Sequence, residues 1–416
     1  MVSAYRWRIA ALLCCAITIS YFDRQTLPLA INAIQREIPI TNTGFSHLQA
    51  AFLFAYALMY AGGGTLLDLV GTRVGFLLIM IWWSLACASH GFATGFGMLM
   101  ISRLLLGMGE GGGFPAATKA VSEWFAVEER SFAMGVINAG TAIGAVAAPP
   151  FIAVVLSYAS WRYVFFISGL AGLAWAVWWW REYWPPASHP SAATASTAAL
   201  ETLQAEGTFS WPALLRFPQV WGLVGAKFLS DSAWYFYLFW LPKYLYDERG
   251  FNVKAIGYYA WIPYAAAGVG CLLGGWLSGY LLRRGRSLNF ARKAALGLSA
   301  AVMPVIVIVT HVPVQFAIVL FSLAFLGQQS WSTLIMVLPA DLFPRSSVGS
   351  VAGMVGFGGA IGGSVFGLLV GYLLDHNFGY GVVFGIVSTL HVLAFALILI
   401  TVRAVQPISL SKRQWS

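Results

Sequence analysis

Six ionisable residues stand inside otherwise apolar stretches of this sequence: Asp23, Arg24, Arg103, Glu110, Lys227 and Asp231. At the centre of a membrane helix each costs roughly 2.5–3.5 kcal/mol. Left unpaired, the six would cost on the order of 15–20 kcal/mol together, more than the net stability of a typical fold. They must face a polar cavity, pair with one another, or do both. An internal salt-bridge lattice would satisfy the energetics without any function. Three cations balanced by three acids also suit a second purpose. An arriving anion unbalances the set, and protonating one acid restores it.

Spacing separates the roles. Asp23 and Arg24 are adjacent, so on a helix they point about 100° apart and do not easily pair. Arg24 is the natural partner for a carboxylate, because a guanidinium offers paired donors in a planar fork. With Asp23 pointing elsewhere, its charge is expected to be uncancelled. Arg103 and Glu110 lie seven apart and share a helix face. Asp23 and Glu110 are the candidate proton carriers, since burial favours the neutral form of a carboxylate. Lys227 and Asp231 have the i, i+4 spacing of a direct pair. That pair either neutralises itself or offers Lys227 to an anion, and Trp234 follows on the same face. Interior aromatics could stack on a sugar ring: Tyr21, Tyr56, Tyr60, Trp240 and Trp331. Tyr21 and Tyr56 join the faces of Asp23 and Arg24, and Trp331 follows Gln328 and Gln329.

The elements that must hold these residues are membrane helices. Of 416 residues, 59% are hydrophobic and 9% charged, against about 25% charged in a soluble domain. Lipid must be the solvent for most of the surface. Spans of roughly 20 apolar residues are predicted near 7–33, 46–68, 74–93, 96–120, 131–157 and 162–181. Six more fall near 219–246, 255–282, 291–310, 313–338, 346–374 and 380–403. The fold class is therefore an all-α membrane protein with twelve transmembrane helices. A bundle over 1–181 and another over 219–416 flank a cytoplasmic linker over 182–218, which contains the Pro-, Ser- and Ala-rich "PPASHPSAATASTAAL". The N-terminal run, with Arg6 and Arg8 before it, lacks a cleavage site and is read as the first span.

The halves repeat one another. "EWFAVEERSFAMGVINAGTAIGA" from Glu123 aligns with "DLFPRSSVGSVAGMVGFGGAIGG" from Asp341, superposing Phe125 on Phe343, Gly135 on Gly353 and Gly140 on Gly358. A parallel repeat of this kind predicts a substrate site between the halves near mid-membrane. Lys and Arg are about threefold enriched in the loops on the side of the N-terminus, which places both termini in the cytoplasm. The formal net charge of +9 is thus a topology signal and no reason to expect nucleic acid. The four cysteines lie in apolar runs without metal spacing and read as small buried hydrophobes.

These motifs resemble a family. "GTLLDLVGTR", Gly64 to Arg73, looks like the loop 2–3 signature of the major facilitator superfamily, and "RLLLGMGEG", from Arg103, looks like its helix-4 motif. "YFDRQTL", "KFLSDSAWYFYLFWLPKYL" and "LPADLFPRSSVGSVAGM" resemble the anion:cation symporters, especially the hexuronate branch. The resemblance implies alternating access and proton-coupled uptake of a sugar acid, with glucuronate or galacturonate as examples. An aldonate, glucarate or aromatic carboxylate is the alternative. By motif position it implies that Asp23 and Glu110 couple protons with Arg103 as partner. Arg24, Tyr56, Asn138 and Trp331 would contact substrate, with Tyr21, Lys227, Asp231, Trp234 and Gln328 added from their faces. Asp68 and Arg73 would gate the cytoplasmic side. Two positions depart from the pattern: Gly279 stands where the first half has Asp68, and Thr141 where some relatives carry Gln.

No catalytic constellation, cofactor motif or metal spacing is present in the sequence. "GMGEGGG" lies within a span and is no nucleotide loop. A membrane-embedded transferase would need a His/Asp or metal set that the scattered histidines do not form, and a sensor would carry a signalling domain. The expected protein is a monomeric bacterial inner-membrane carrier whose partners are a small organic anion, protons and the bilayer.

Overall fold

The computed structural model describes residues 2–125, 127–184, 211–343, 345–406 and 408. Among these residues the chain is helical, with no strand. The first half contains α1 (Val2–Ile34), α2 (Asn42–Val70), α3 (Thr72–Ser89), α4 (Phe96–Glu110), α5 (Gly113–Trp124), α6 (Val127–Tyr158) and α7 (Trp161–Glu182). The second contains α8 (Pro218–Asp247), α9 (Val253–Tyr259), α10 (Trp261–Arg283), α11 (Leu288–Val302), α12 (Val314–Ile335), α13 (Leu338–Leu342), α14 (Arg345–Asp375) and α15 (Gly379–Thr401). Residues 185–210 of the expected linker lie outside the described residues.

Four expected spans are not single α-helices, the 74–93 stretch among them because it ends in a 3₁₀ turn, His90–Phe92. The 96–120 stretch breaks at Gly111 and Gly112, between α4 and α5. The 255–282 stretch is α9 and α10, joined at Ala260. The 291–310 stretch passes from α11 into a 3₁₀ segment, Met303–His311. Pro304 opens that segment, where a residue without an N–H interrupts the α ladder.

Among the described residues, eight helical segments are long and apolar enough to cross a membrane. α1, α2, α4 and α8 are not in that group. α1, α4 and α8 carry the six ionisable residues, and α4 is only 15 residues long. On the outside, Leu170, Leu272 and Ile400 are 67%, 75% and 71% exposed, as side chains facing lipid can be.

The sequence repeat is also a packing repeat. A Cβ at Gly140 would lie 2.4 Å from the Cys14 carbonyl oxygen, and one at Gly144 would lie 2.3 Å from that of Thr18. In the second half a Cβ at Gly358 would meet Val224 at 2.7 Å, and one at Gly362 the Phe228 carbonyl oxygen at 2.2 Å. α6 thus presses backbone to backbone on α1 as α14 does on α8, an approach that only small residues permit.

The halves meet along α2 and α14. The Asp375 carboxylate accepts from the backbone N–H groups of Asn42 (3.0 Å) and Thr43 (2.7 Å), capping α2 from the other half. Ser364 donates to the Ala50 carbonyl at 3.2 Å. Phe45 packs edge-on against Trp240, with centroids 4.9 Å apart. These contacts close one end of the seam, the end near the α1–α2 connection.

Candidate functional site

Arg24 is 1% exposed and forms the centre of the site. Its Nε donates to Glu110 Oε2 at 2.7 Å, and Ser20 Oγ donates to the same oxygen at 2.7 Å. Arg24 Nη2 reaches Ser20 Oγ at 3.3 Å. The guanidinium lies 4.5 Å from the Tyr21 ring centroid and 4.6 Å from that of Tyr56. Such cation–π contacts stabilise a desolvated cation. Glu110 Oε1 has no protein partner.

This pairing corrects two expectations. Arg24 is locally cancelled, by Glu110 and not by Asp23. Arg103 is also not in contact with Glu110. Its Nη2 donates to Gln49 Oε1 at 2.6 Å, and its guanidinium lies 4.8 Å from the Phe52 ring. The cause is local backbone. Glu110 is the last residue of α4, and the glycines beside it bring that helix end inward. A Cβ at Gly107 would lie 2.2 Å from the Phe52 carbonyl oxygen, and one at Gly111 2.5 Å from that of Tyr56. α4 therefore lies on α2, and Glu110 reaches across to α1. Arg103 keeps Nε and Nη1 buried without partners.

Asp23 is fully buried and faces away from Arg24, accepting a hydrogen bond from Ser168 Oγ. Its Oδ2 has no partner. In the second half, Lys227 Nζ donates to Asp231 Oδ1 at 2.8 Å and to Ser332 Oγ at 3.0 Å. The Asp231 carboxylate rests against Gly359, where a Cβ would lie 2.2 Å from Oδ2.

A narrow cleft between the halves is lined by Tyr21 and Thr141 on one side and by Trp234, Tyr264, Cys271 and Gln329 on the other. Trp234 and Tyr21 are where the sequence placed them. Trp331 is not. It is 0% exposed, packed edge-on against His391 at 5.7 Å, inside the core of the second half. Gln328 is buried with it, 1% exposed, its amide unpartnered. On α12 the cleft-facing residue is Gln329, about 100° round from Gln328, so the sequence reading chose the wrong face of that helix. Asn138 is exposed on α6, and its carbonyl accepts from Thr141 Oγ1 at 2.8 Å. Among the described residues Arg73 does not meet an acid. It donates to the Trp180 carbonyl at 2.7 Å and stacks 3.6 Å from the Trp184 ring, clamping the end of α7. The Asp68 side chain lies outside the described part of α2. Cys15 is exposed, not buried.

The residues missed by sequence are uncharged: Ser20, Gln49, Phe52, Ser168, Gln329 and Ser332. A search for charges inside spans passes over them. Ser20 carried a usable signal, four residues before Arg24 on the same face.

A two-half helical bundle, repeated in packing, with opposed charges buried beside a cleft between the halves, defines the class as a membrane carrier. Residues 13–366 match the family described as the Major Facilitator Superfamily, and the chain belongs to that family: it is an integral membrane transporter, not an enzyme. It is 31% identical over 365 residues to the hexuronate transporter of Escherichia coli (strain K12), covering 85% of this chain and 84% of that protein. It is 32% identical over 312 residues to the galacturonate transporter of Dickeya chrysanthemi, covering 73% and 90%. Its fold is similar to that of a bacterial homolog of the human lysosomal transporter Spinster, in an inward-facing and occupied conformation. That comparison has a TM-score of 0.75 at 18% identity, over 99% of each chain.

Proposed function

We propose that this protein is a twelve-helix proton-coupled symporter that imports a sugar acid by alternating access. In this reading 1–181 and 219–416 are the two rocking bundles, 182–218 is a cytoplasmic linker, and the protein sits in a bacterial inner membrane with both termini inside. The substrate is a hexuronate such as glucuronate or galacturonate, the kind of compound for which the two relatives are named.

One observation carries the reading: the Arg24–Glu110 contact at 2.7 Å between aromatic walls. A substrate carboxylate and Glu110 are rivals for one guanidinium. While Glu110 is ionised, Arg24 is neutralised and an entering anion gains little. Once Glu110 takes a proton, the attraction between opposite charges is lost, only a hydrogen bond from the guanidinium to a neutral carboxyl remains, and the fork is released to the substrate. Proton and anion therefore favour each other's binding, and the coupling is reciprocal. Tyr21 and Tyr56, which flank the guanidinium, suit the face of a sugar ring. Lys227 and Trp234 approach from the other half, so closure on the substrate draws the halves together.

Asp23, with one oxygen unpartnered, is the second proton site. Importing an anion against an inside-negative potential costs about 2.3 kcal/mol per charge per 100 mV. One proton cancels that for a monoanion, and a second makes uptake electrically downhill. The test is uptake of labelled glucuronate, galacturonate and galactonate into proteoliposomes. Accumulation driven by an imposed inward proton gradient, and abolished by an uncoupler, is expected. Uptake of these acids that ignores the gradient contradicts proton coupling, and transport of none of them contradicts the substrate class.

A further inference from the structure

A second binding feature lies far from the cleft, between the start of α1 and the end of α7. Two contacts pin these helices together: Tyr5 OH donates to the Glu182 carbonyl, and Trp175 Nε1 donates to the Leu12 carbonyl at 2.8 Å. Beside them the surface opens into a groove of about 330 Å³. Its floor is Ile9, Ala11, Leu12 and Trp178, and its rim carries Arg8, Tyr5 and Glu182.

The groove faces the lipid side. α7 exposes Leu170 (67%), Val177 (53%) and Trp178 (47%) along it. Trp180 and Trp184, each 45% exposed, continue towards the helix end. Apolar side chains giving way to tryptophans mark the level of the headgroups. A groove with an apolar floor and a charged rim at that level fits one acyl chain and the headgroup above it.

The rim charges choose the headgroup. Arg8 and Glu182 both line the groove beside Tyr5, and among the described residues neither side chain forms an ion pair or hydrogen bond. A guanidinium is suited to phosphate. A carboxylate accepts from an ammonium, which brings three donors. An anionic headgroup would meet Arg8 but be repelled by Glu182. A trimethylammonium headgroup would offer Glu182 no N–H. We propose that this groove is a binding site for a phosphatidylethanolamine lipid, with its phosphate on Arg8, its primary ammonium on Glu182 and an acyl chain over Leu12 and Trp178. The lipid is a structural ligand of the α1–α7 pair at the membrane surface and takes no part in carrying substrate.

The test uses the purified full-length transporter and native mass spectrometry with added phosphatidylethanolamine, phosphatidylcholine or phosphatidylglycerol of matched chains. Phosphatidylethanolamine is expected to be retained about fivefold more tightly than either of the others, the worth of roughly one net hydrogen bond, that of its primary ammonium to Glu182. Arg8→Gln should remove most of that affinity. Glu182→Gln should erase the preference for phosphatidylethanolamine over phosphatidylglycerol while leaving binding of both. The Glu182→Gln arm stands if Arg8→Gln disturbs insertion. Equal retention of the three lipids by the unsubstituted protein overturns the proposal. So does a Glu182→Gln variant that keeps the wild-type preference, or a well-folded Arg8→Gln variant that keeps wild-type affinity.

Discussion

The two halves of this transporter are packed alike and charged differently. Cys14 and Thr18 of α1 receive Gly140 and Gly144 just as Val224 and Phe228 of α8 receive Gly358 and Gly362, the α1 and α8 equivalents lying 210 positions apart. The same shift carries Arg24 onto Trp234 and Tyr21 onto Asp231. So where the first half has a buried guanidinium, the second presents an indole to the cleft. The first half holds four of the six intramembrane charges, and the second holds a Lys–Asp pair that neutralises itself at 2.8 Å. Packing keeps the symmetry, as the proposed rocking of the halves requires. Charge departs from it, as the proposed binding of one anion and coupling to protons require.

Substitutions can break this comparison, beginning with the largest effect. Arg24→Ala should weaken hexuronate binding to the purified protein by on the order of 100-fold, with Arg24→Lys intermediate, since it keeps the charge and loses the fork. Near-wild-type affinity in Arg24→Ala would place the anion in the second half. Lys227→Ala should weaken binding by about tenfold. Part of that loss comes from stranding Asp231, so the double change with Asp231→Ala should recover some of it. A double variant worse than the sum of the single ones would make the pair an active gripping element.

The symmetric part has its own test. Gly144→Ala and Gly362→Ala each force a methyl group onto a carbonyl oxygen, at 2.3 and 2.2 Å before relaxation. Both should destabilise by about 1–3 kcal/mol, read as similar falls in thermal melting temperature in detergent. A large fall in only one would mean that the halves are not equivalently packed. The smallest effect is expected for Trp331→Phe. Trp331 packs on His391 in the core, so substrate affinity should not change. A clear loss would return Trp331 to the site.

Much of this was legible in the sequence, for physical reasons. Apolar length marks a span, and a charge within a span is too unfavourable to be idle, so Asp23, Arg24, Glu110, Lys227 and Asp231 all stood out. The i, i+4 rule anticipated the Lys227–Asp231 bond because that contact is made within one helix. Contacts between helices were not legible. Arg24 meets Glu110, and Arg103 meets Gln49, because glycines set how closely α4 approaches α2, and spacing along one helix carries no information about that distance. Gln329 was confused with Gln328 and Trp331 because this turn of α12, Gln328-Gln329-Ser330-Trp331-Ser332-Thr333, is polar on nearly every side, so polarity does not indicate which residue looks into the cleft. The tryptophans that receive Arg73 were not legible either, because a sequence shows the charge but not the rings it stacks on.

The central claim is that Glu110 yields Arg24 to the substrate when it takes a proton. The most direct test is the affinity of the purified protein for a hexuronate as a function of pH, in the wild type and in Glu110→Gln. Substrate binding is expected to take up a proton, so wild-type affinity should rise as pH falls, by up to about tenfold per pH unit where Glu110 titrates. In Glu110→Gln the guanidinium is already released. Affinity should then be high, and the Glu110 part of the pH dependence should be gone, while gradient-driven accumulation is lost and exchange remains. A Gln variant that keeps the wild-type pH dependence, or that still accumulates substrate fully against its gradient, would contradict the account.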